Sequence, residues 1–128
     1  MEHSNFNQSF AERTKQHALS VIRWYRDQAK KDEIGSILGK QLIRSVTSVA
    51  ANFRAACRSR SVAEYYAKLC IVVEESDETL FWMECFQELE WIDTKALDGI
   101  MEETLVILKV MARAKKNALD RKATSNKD

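Results

Sequence analysis

A chain of 128 residues can bury one hydrophobic core but not two. It has no proline and three glycines (Gly35, Gly39 and Gly99), which excludes a turn-rich β fold. With 45% hydrophobic and 30% charged residues it is too apolar for disorder, and no apolar run approaches the ~20 residues of a membrane span.

The net charge of +1 conceals three blocks. Residues 1–61 hold 11 Lys/Arg against 5 Asp/Glu, residues 62–104 hold 2 against 12, and residues 105–128 hold 7 against 2. Such blocks neutralise one another when helices pack, or leave a basic surface open to an anion.

Four helices follow in chain order, forming one domain over 1–119. The first starts at a capping box, Ser9-x-x-Glu12, and runs to about residue 31, with Phe10, Ala18, Val21, Ile22, Tyr25 and Ala29 at helical spacing. Gly35 and Ser36 mark a connection. The second helix spans 36–58 on a Leu42, Val46, Val49, Phe53, Ala56 seam. A second capping box, Ser61-x-x-Glu64, opens a third helix over 61–90 with Val62, Tyr66, Leu69, Val73, Ser76, Leu80 and Met83 inward. Trp91 to Thr94 make a turn capped by Asp93 or Thr94. A fourth helix over 94–118 follows, carrying Leu97, Met101, Thr104, Leu108 and Met111. Residues 120–128 are expected to be a polar, disordered tail. Short connections between long helices favour an all-α, antiparallel up-down four-helix bundle.

The third helix has a second apolar stripe, Ile71, Trp82, Cys85 and Leu89, interleaved with Glu64, Glu75 and Glu78. One stripe suffices for a bundle helix, so the second points to a homo-oligomer interface, unless helix ends or the N-terminal segment cover it. On the second helix Lys40, Arg44, Arg54 and Arg58 fall within about 80° of arc, away from the seam. Thr47, Ala51 and Ala55 keep that face low. Arginine forks suit phosphate, which makes the face a candidate nucleic-acid-binding surface for RNA or DNA. The basic stretch Lys115, Lys116, Arg121 and Lys122 could extend it. The alternative is pairing with Glu74, Glu75 or Glu78 of another helix or subunit. No aromatic platform for single strands accompanies these cations, so binding would read shape and phosphate.

Catalytic machinery is not legible. The two histidines are His3, in the polar start, and His17, read as a polar-edge residue of the first helix. Glu75-x-x-Glu78 lacks the histidine a di-metal bundle site needs, and there is no glycine-rich phosphate loop. We therefore expect no catalytic residue, no metal, no cofactor and no enzymatic activity. Cys57, Cys70 and Cys85 lack CxxC spacing and read as reduced, partly buried thiols. The polar start is not a signal peptide, so the expected location is cytoplasmic, without membrane association.

Two segments carry a family resemblance: Ile43-Arg44-Ser45-Val46-Thr47-Ser48-Val49-Ala50-Ala51-Asn52, then Arg58-Ser59-Arg60-Ser61-Val62-Ala63-Glu64-Tyr65. They resemble the signature of the bacterial four-helix-bundle family, also called the ribosomal-RNA intervening-sequence protein family. That signature runs from an Ile-Arg-Arg/Ser start through a Ser-hydrophobic-x-x-Asn core to Arg-x-Ser-x-x-Glu-aromatic. Where members usually carry Glu-Gly, this chain reads Ala56-Cys57, so that acidic residue has no counterpart. The resemblance implies up-down bundles assembled as ring-like pentamers, with no established enzymatic activity. The similar accessory proteins of diversity-generating retroelements bind a reverse transcriptase and nucleic acid through basic surfaces. Residue by residue the resemblance reaches Arg44, Asn52, Arg58, Ser61 and Glu64. Ser61 and Glu64 are also capping residues, while Asn52 lies mid-helix and wants a partner on another helix or subunit. Two functions stay open: an oligomeric adaptor on nucleic acid, or a protein-interaction ring whose charges are satisfied internally.

Overall fold

The computed structural model describes residues 4–28, 32–89 and 94–125, and these contain four helices and no strand. Helix α1 spans Ser4–Gln28, α2 Glu33–Ala56, α3 Val62–Glu88 and α4 Thr94–Ser125. The predicted turn at Trp91 to Asp93 lies outside the described residues, as do Ala29 and residues 126–128.

Helix α1 starts earlier than the Ser9 capping box predicts. Ser9 is exposed inside the helix, and Glu12 accepts a hydrogen bond from Gln16 Nε2 at 2.9 Å instead of serving a cap. The cause is a stripe that begins upstream of Ser9. Asn7, Phe10, Thr14, His17, Val21 and Trp24 are all buried at alternating steps of three and four.

Helix α2 likewise starts before the expected 36. Asp32, in extended conformation, accepts from the Gly35 N–H at 2.8 Å, so Gly35 and Ser36 lie inside the helix rather than in a connection. Gly39 makes room for Tyr25. A Cβ on Gly39 would lie 2.1 Å from the Tyr25 ring, whose hydroxyl donates to the Gly35 carbonyl at 3.3 Å. The Leu42, Val46, Val49, Phe53, Ala56 seam is buried throughout.

Ser61 caps α3, its Oγ accepting from the Glu64 N–H at 3.0 Å. The α3 core stripe is rotated from the predicted one. Leu69, Val72, Ser76, Thr79, Met83 and Phe86 are buried, while Val62, Tyr66, Val73 and Leu80 are half-buried. Helix α3 packs closely on both α2 and α4, so its buried face is broad and its own pattern fixes the phase weakly. The Ser76 and Thr79 hydroxyls are satisfied by the Val72 and Glu75 carbonyls, each at 2.7 Å.

Helix α4 continues past 118 to Ser125, through residues expected in a disordered tail. The extension has partners: Ala118 is buried, and Arg121 and Lys122 lie over the Tyr65 and Tyr66 rings at 5.5 and 5.1 Å. Leu97, Thr104 and Met111 are buried as predicted and Ile107 joins them, whereas Met101 and Leu108 are half-buried.

The core forms two clusters. One joins Phe10 of α1 to Val49, Phe53 and Ala56 of α2, Leu69 and Val72 of α3, and Ile107, Met111 and Ala118 of α4. The other joins Val21 and Trp24, Leu42 and Val46, Met83 and Phe86, and Leu97. Edge-on aromatic pairs hold each: Phe10 on Phe53 and Trp24 on Phe86, both with centroids 5.4 Å apart. Fully burying each phenylalanine contributes about 1.5–3 kcal/mol. Between the clusters lies a polar layer. His17 Nε2 and Thr104 Oγ1 are 2.8 Å apart, and Thr104 Oγ1 is 3.3 Å from Met83 Sδ. His17 is thus a core residue, 6% exposed, and not a polar-edge one.

Candidate nucleic-acid interface

The two clusters divide the charges as well as the apolar residues. The half around Phe53 comprises residues 4–17, 49–73 and 105–125 and carries 12 Lys/Arg against 3 Asp/Glu. The half around Phe86, residues 18–28, 32–48, 74–89 and 94–104, carries 5 against 12. Three blocks along the chain become two poles in space.

This division splits the four cations predicted on one face of α2. Arg44 donates from its guanidinium to Glu78 and, at 3.5 Å, to Glu75, so it is paired within the fold. Lys40 is exposed in the acidic half, and 14 residues of helix place it ~21 Å from Arg54. Arg54 and Arg58 remain together in the basic half. They line an open groove of about 970 Å³ between α1 and α2.

Lys15 of α1 faces that groove with them, and Glu12 is its one carboxylate. Ala18, Leu19 and Ile22 of α1 and Thr47, Ala50 and Ala51 of α2 form its low floor. Small α2 residues keep the arginines above an uncluttered surface, which allows an extended polyanion to approach closely. None of Lys15, Arg54 and Arg58 forms an ion pair among the described residues, and the Arg60–Glu64 contact beside them is a loose 4.0 Å. Cys57, also in the groove wall, is half-buried. Burial pushes its thiol pKa up, which keeps it protonated and inert.

The basic half continues on the other side of the first turns of α1. Arg113 and Arg121 of α4, with Tyr65 of α3 and Phe6, line a smaller groove of about 270 Å³. Arg121 belongs to the basic stretch read from sequence. Lys15, Arg113 and Phe6 were missed, because groove-forming residues such as Phe6 and Arg121 lie far apart in the chain. Their one sequence signal is the basic excess in the first and last blocks.

Other predicted residues are placed as follows. Asn52 Nδ2 donates to the carbonyl and Oγ of Ser48, both at 2.9 Å, so its partners lie on its own helix rather than across helices. Ile71 and Leu89 are exposed on α3, Leu89 at 56%. Trp82 is half-buried against the Phe86 cluster, so this part of the outer stripe is covered within the chain. Cys85 is half-buried, its thiol pKa raised first by burial and then by Glu88 and Glu84. Burial lowers the His17 pKa to about 4, holding the imidazole neutral at neutral pH. Beside it Arg13 grips Glu103 with two hydrogen bonds of 2.7 Å, which lower the pKa of that carboxyl. No helix among the described residues is long and apolar enough to cross a membrane.

Comparison with known proteins supplies the context. The sequence profile of the family described as 23S rRNA-intervening sequence protein matches residues 7–113. A crystal structure at 1.70 Å of a protein of unknown function from the S23 ribosomal protein family of Bacteroides thetaiotaomicron is similar in fold. It is 25% identical in sequence with a TM-score of 0.75, and the match covers 86% of this chain and 97% of that one. No curated protein matches the chain.

Proposed function

Because the chain belongs to the 23S rRNA-intervening sequence protein family, we propose that it is a non-enzymatic, oligomeric RNA-binding adaptor. In this reading it holds folded RNA by its phosphates in the groove of Lys15, Arg54 and Arg58. The carrying observation is the contrast on α2: Arg44 is consumed by Glu75 and Glu78, while Arg54 and Arg58 stand over a low floor without a carboxylate partner among the described residues. Uncompensated cations beside an open groove attract polyanions and release their counterions.

An antiparallel up-down bundle is the architecture we infer. Each core cluster joins one end of α1 to the opposite end of α2, as that topology requires. Assembly into a homo-oligomer, a pentameric ring by family resemblance, would use the acidic half. Ile34, Ile37, Phe81 and Leu89 are exposed there, and Ile71 and the edge of Cys85 extend the surface along α3. The non-enzymatic part rests on His17, which is buried, neutral and tied to Thr104 rather than presented to a substrate. Reduced, half-buried cysteines fit a cytoplasmic protein.

A protein-interaction ring is the second reading, favoured by the internal pairing of Arg44. Binding of nuclease-treated protein to structured RNA and duplex DNA across a salt series separates the two. Combined Arg54→Glu and Arg58→Glu should weaken low-salt binding at least tenfold. They should also reduce the log–log salt slope by about 2, at ~0.9 per phosphate contact on duplex DNA. Lys40→Glu should change little. Equal binding by all three proteins, or none at low salt, would leave the protein-interaction ring. Light scattering on the same samples tests assembly, and a monomer mass removes it.

A further inference from the structure

The smaller groove has features that phosphate binding alone does not require. It lies across the first turns of α1 from the Arg54 groove, and Asn7 lines both. Asn7 is 5% exposed and its Oδ1 has no hydrogen-bond partner among the described residues. A buried acceptor without a donor is costly, and such atoms call for an explanation.

Next to Asn7, Phe6 is 46% exposed. Its ring stacks on Phe10 with centroids 5.5 Å apart and planes at 17°, so one face is backed and the other is open. Across the groove the Arg121 guanidinium lies 5.5 Å over the Tyr65 ring. Arg113 and Asn117 complete the wall, and neither arginine pairs with a carboxylate among the described residues. At about 270 Å³ the groove is at the lower end of small-ligand sites, too small for a duplex.

The unmet acceptor asks for an N–H, the open ring for a flat π face, and the arginines for an anion. One ligand chemistry carries all three. We propose that this groove holds a single unstacked nucleotide of an RNA strand, its base on Phe6, its N–H edge at Asn7 and its phosphate between Arg113 and Arg121. The inference rests on the RNA-binding reading and adds a single-stranded segment to it. Because Asn7 borders both grooves, a strand leaving this pocket runs on toward Arg54 and Arg58 across the start of α1.

The test uses hexaribonucleotides A6, C6 and U6, an A6 carrying one 2-aminopurine, an abasic hexamer of equal charge and a hexaglutamate peptide. Stacking on Phe6 should quench the 2-aminopurine fluorescence on binding. Phe6→Ala, at an exposed ring, should weaken hexamer binding about tenfold or more. Asn7→Leu removes the unpartnered acceptor with little change of shape. It should weaken binding about tenfold while raising the melting temperature, an opposition that a purely structural asparagine would not produce.

Equal affinity for the abasic hexamer or for hexaglutamate, or absence of quenching, overturns the pocket. Should Asn7→Leu fail to fold, Phe6→Ala decides alone. Salt-sensitive binding to structured RNA without hexamer binding overturns the pocket and leaves the Arg54 groove standing. Loss of both overturns both.

Discussion

The two halves of this molecule are built alike in their cores and differently in their charges. Each has a buried phenylalanine, Phe53 or Phe86, met edge-on by an aromatic ring of α1. In the acidic half Arg26 holds Asp27 at 2.8 Å and Arg44 holds Glu75 and Glu78, so these two cations bind carboxylates of the same chain. In the basic half Arg13 pairs with Glu103 beside the polar layer, but Lys15, Arg54, Arg58, Arg113 and Arg121 have no such partner among the described residues. Equivalent packing with opposite treatment of charge teaches that Lys15, Arg54, Arg58 and Arg113 are not needed as ion pairs to hold the helices together. Like charges that are not neutralised within a fold cost stability and need another reason to be there.

That contrast can be tested, beginning with the polar layer where the halves meet. The His17 imidazole titrates at about 4 in the fold, against an ordinary 6.5, mainly because burial disfavours the charged ring. The unfolded chain therefore takes up a proton below pH 6.5 that the fold refuses until about 4. Stability is fully present above 6.5 and should fall by up to ~3 kcal/mol as pH drops from 6.5 to 4. Urea denaturation at pH 7, 5.5 and 4.5 measures this, with His17→Gln expected to flatten the profile. A wild-type profile already flat between 7 and 4.5 would mean the layer is wet. Glu103, whose pKa is lowered by Arg13, adds a further loss at lower pH still.

The next effect sits in the acidic half alone. Gly39→Ala drives a Cβ into the Tyr25 ring and should destabilise by about 1–3 kcal/mol, despite the gain in helix propensity. Gly99→Ala meets no atom within 4 Å and should be neutral or stabilising. Melting curves of both variants separate crowding from backbone entropy.

The smallest effect draws the contrast most finely. Arg44→Ala should cost up to about 1 kcal/mol, as expected for a half-exposed ion pair with two carboxylates, and its effect should shrink in salt. Arg54→Ala, about three helical turns closer to the basic end, should leave stability unchanged or raise it. A stability loss at Arg54 equal to that at Arg44 would erase the distinction between the halves.

Some of this was legible in the sequence, for reasons particular residues make clear. The α2 seam is readable because, Ile43 apart, Leu42, Val46, Val49, Phe53 and Ala56 are separated by polar or small residues, so the period fixes the phase. Helix α3 is apolar nearly all round and touches two neighbours, so Val73 and Leu80 were as plausible as Val72 and Thr79 until packing chose. Ser9-x-x-Glu12 has the composition of a cap, but a cap works only where the chain upstream is not helical, and Asn7 extends the buried stripe past it. His17 was misplaced by its chemistry. Its spacing with Phe10, Val21 and Trp24 already set it on the buried stripe.

At the candidate site, Arg54 and Arg58 were readable as neighbours on one helix. A helical wheel could not show that Arg44 meets Glu75 and Glu78, because that pairing depends on the register between α2 and α3. It also could not bring Phe6 to Arg113 and Arg121. Those contacts are made by the fold and are nearly invisible to periodicity.

The polarity of the molecule has a consequence before any contact is made. With an excess of cations at one end and of anions at the other, the protein is a large electric dipole. In the field of a polyanion it experiences a torque, which turns the Phe53 end forward while the two molecules are still separated by about a Debye length, roughly 8 Å at physiological salt. Encounters then start from a narrowed set of orientations, and association is faster than random docking of one small patch would allow. On the RNA-adaptor reading proposed above, the same torque would turn the exposed apolar surface of the acidic end, with Phe81 and Leu89, away from the polyanion.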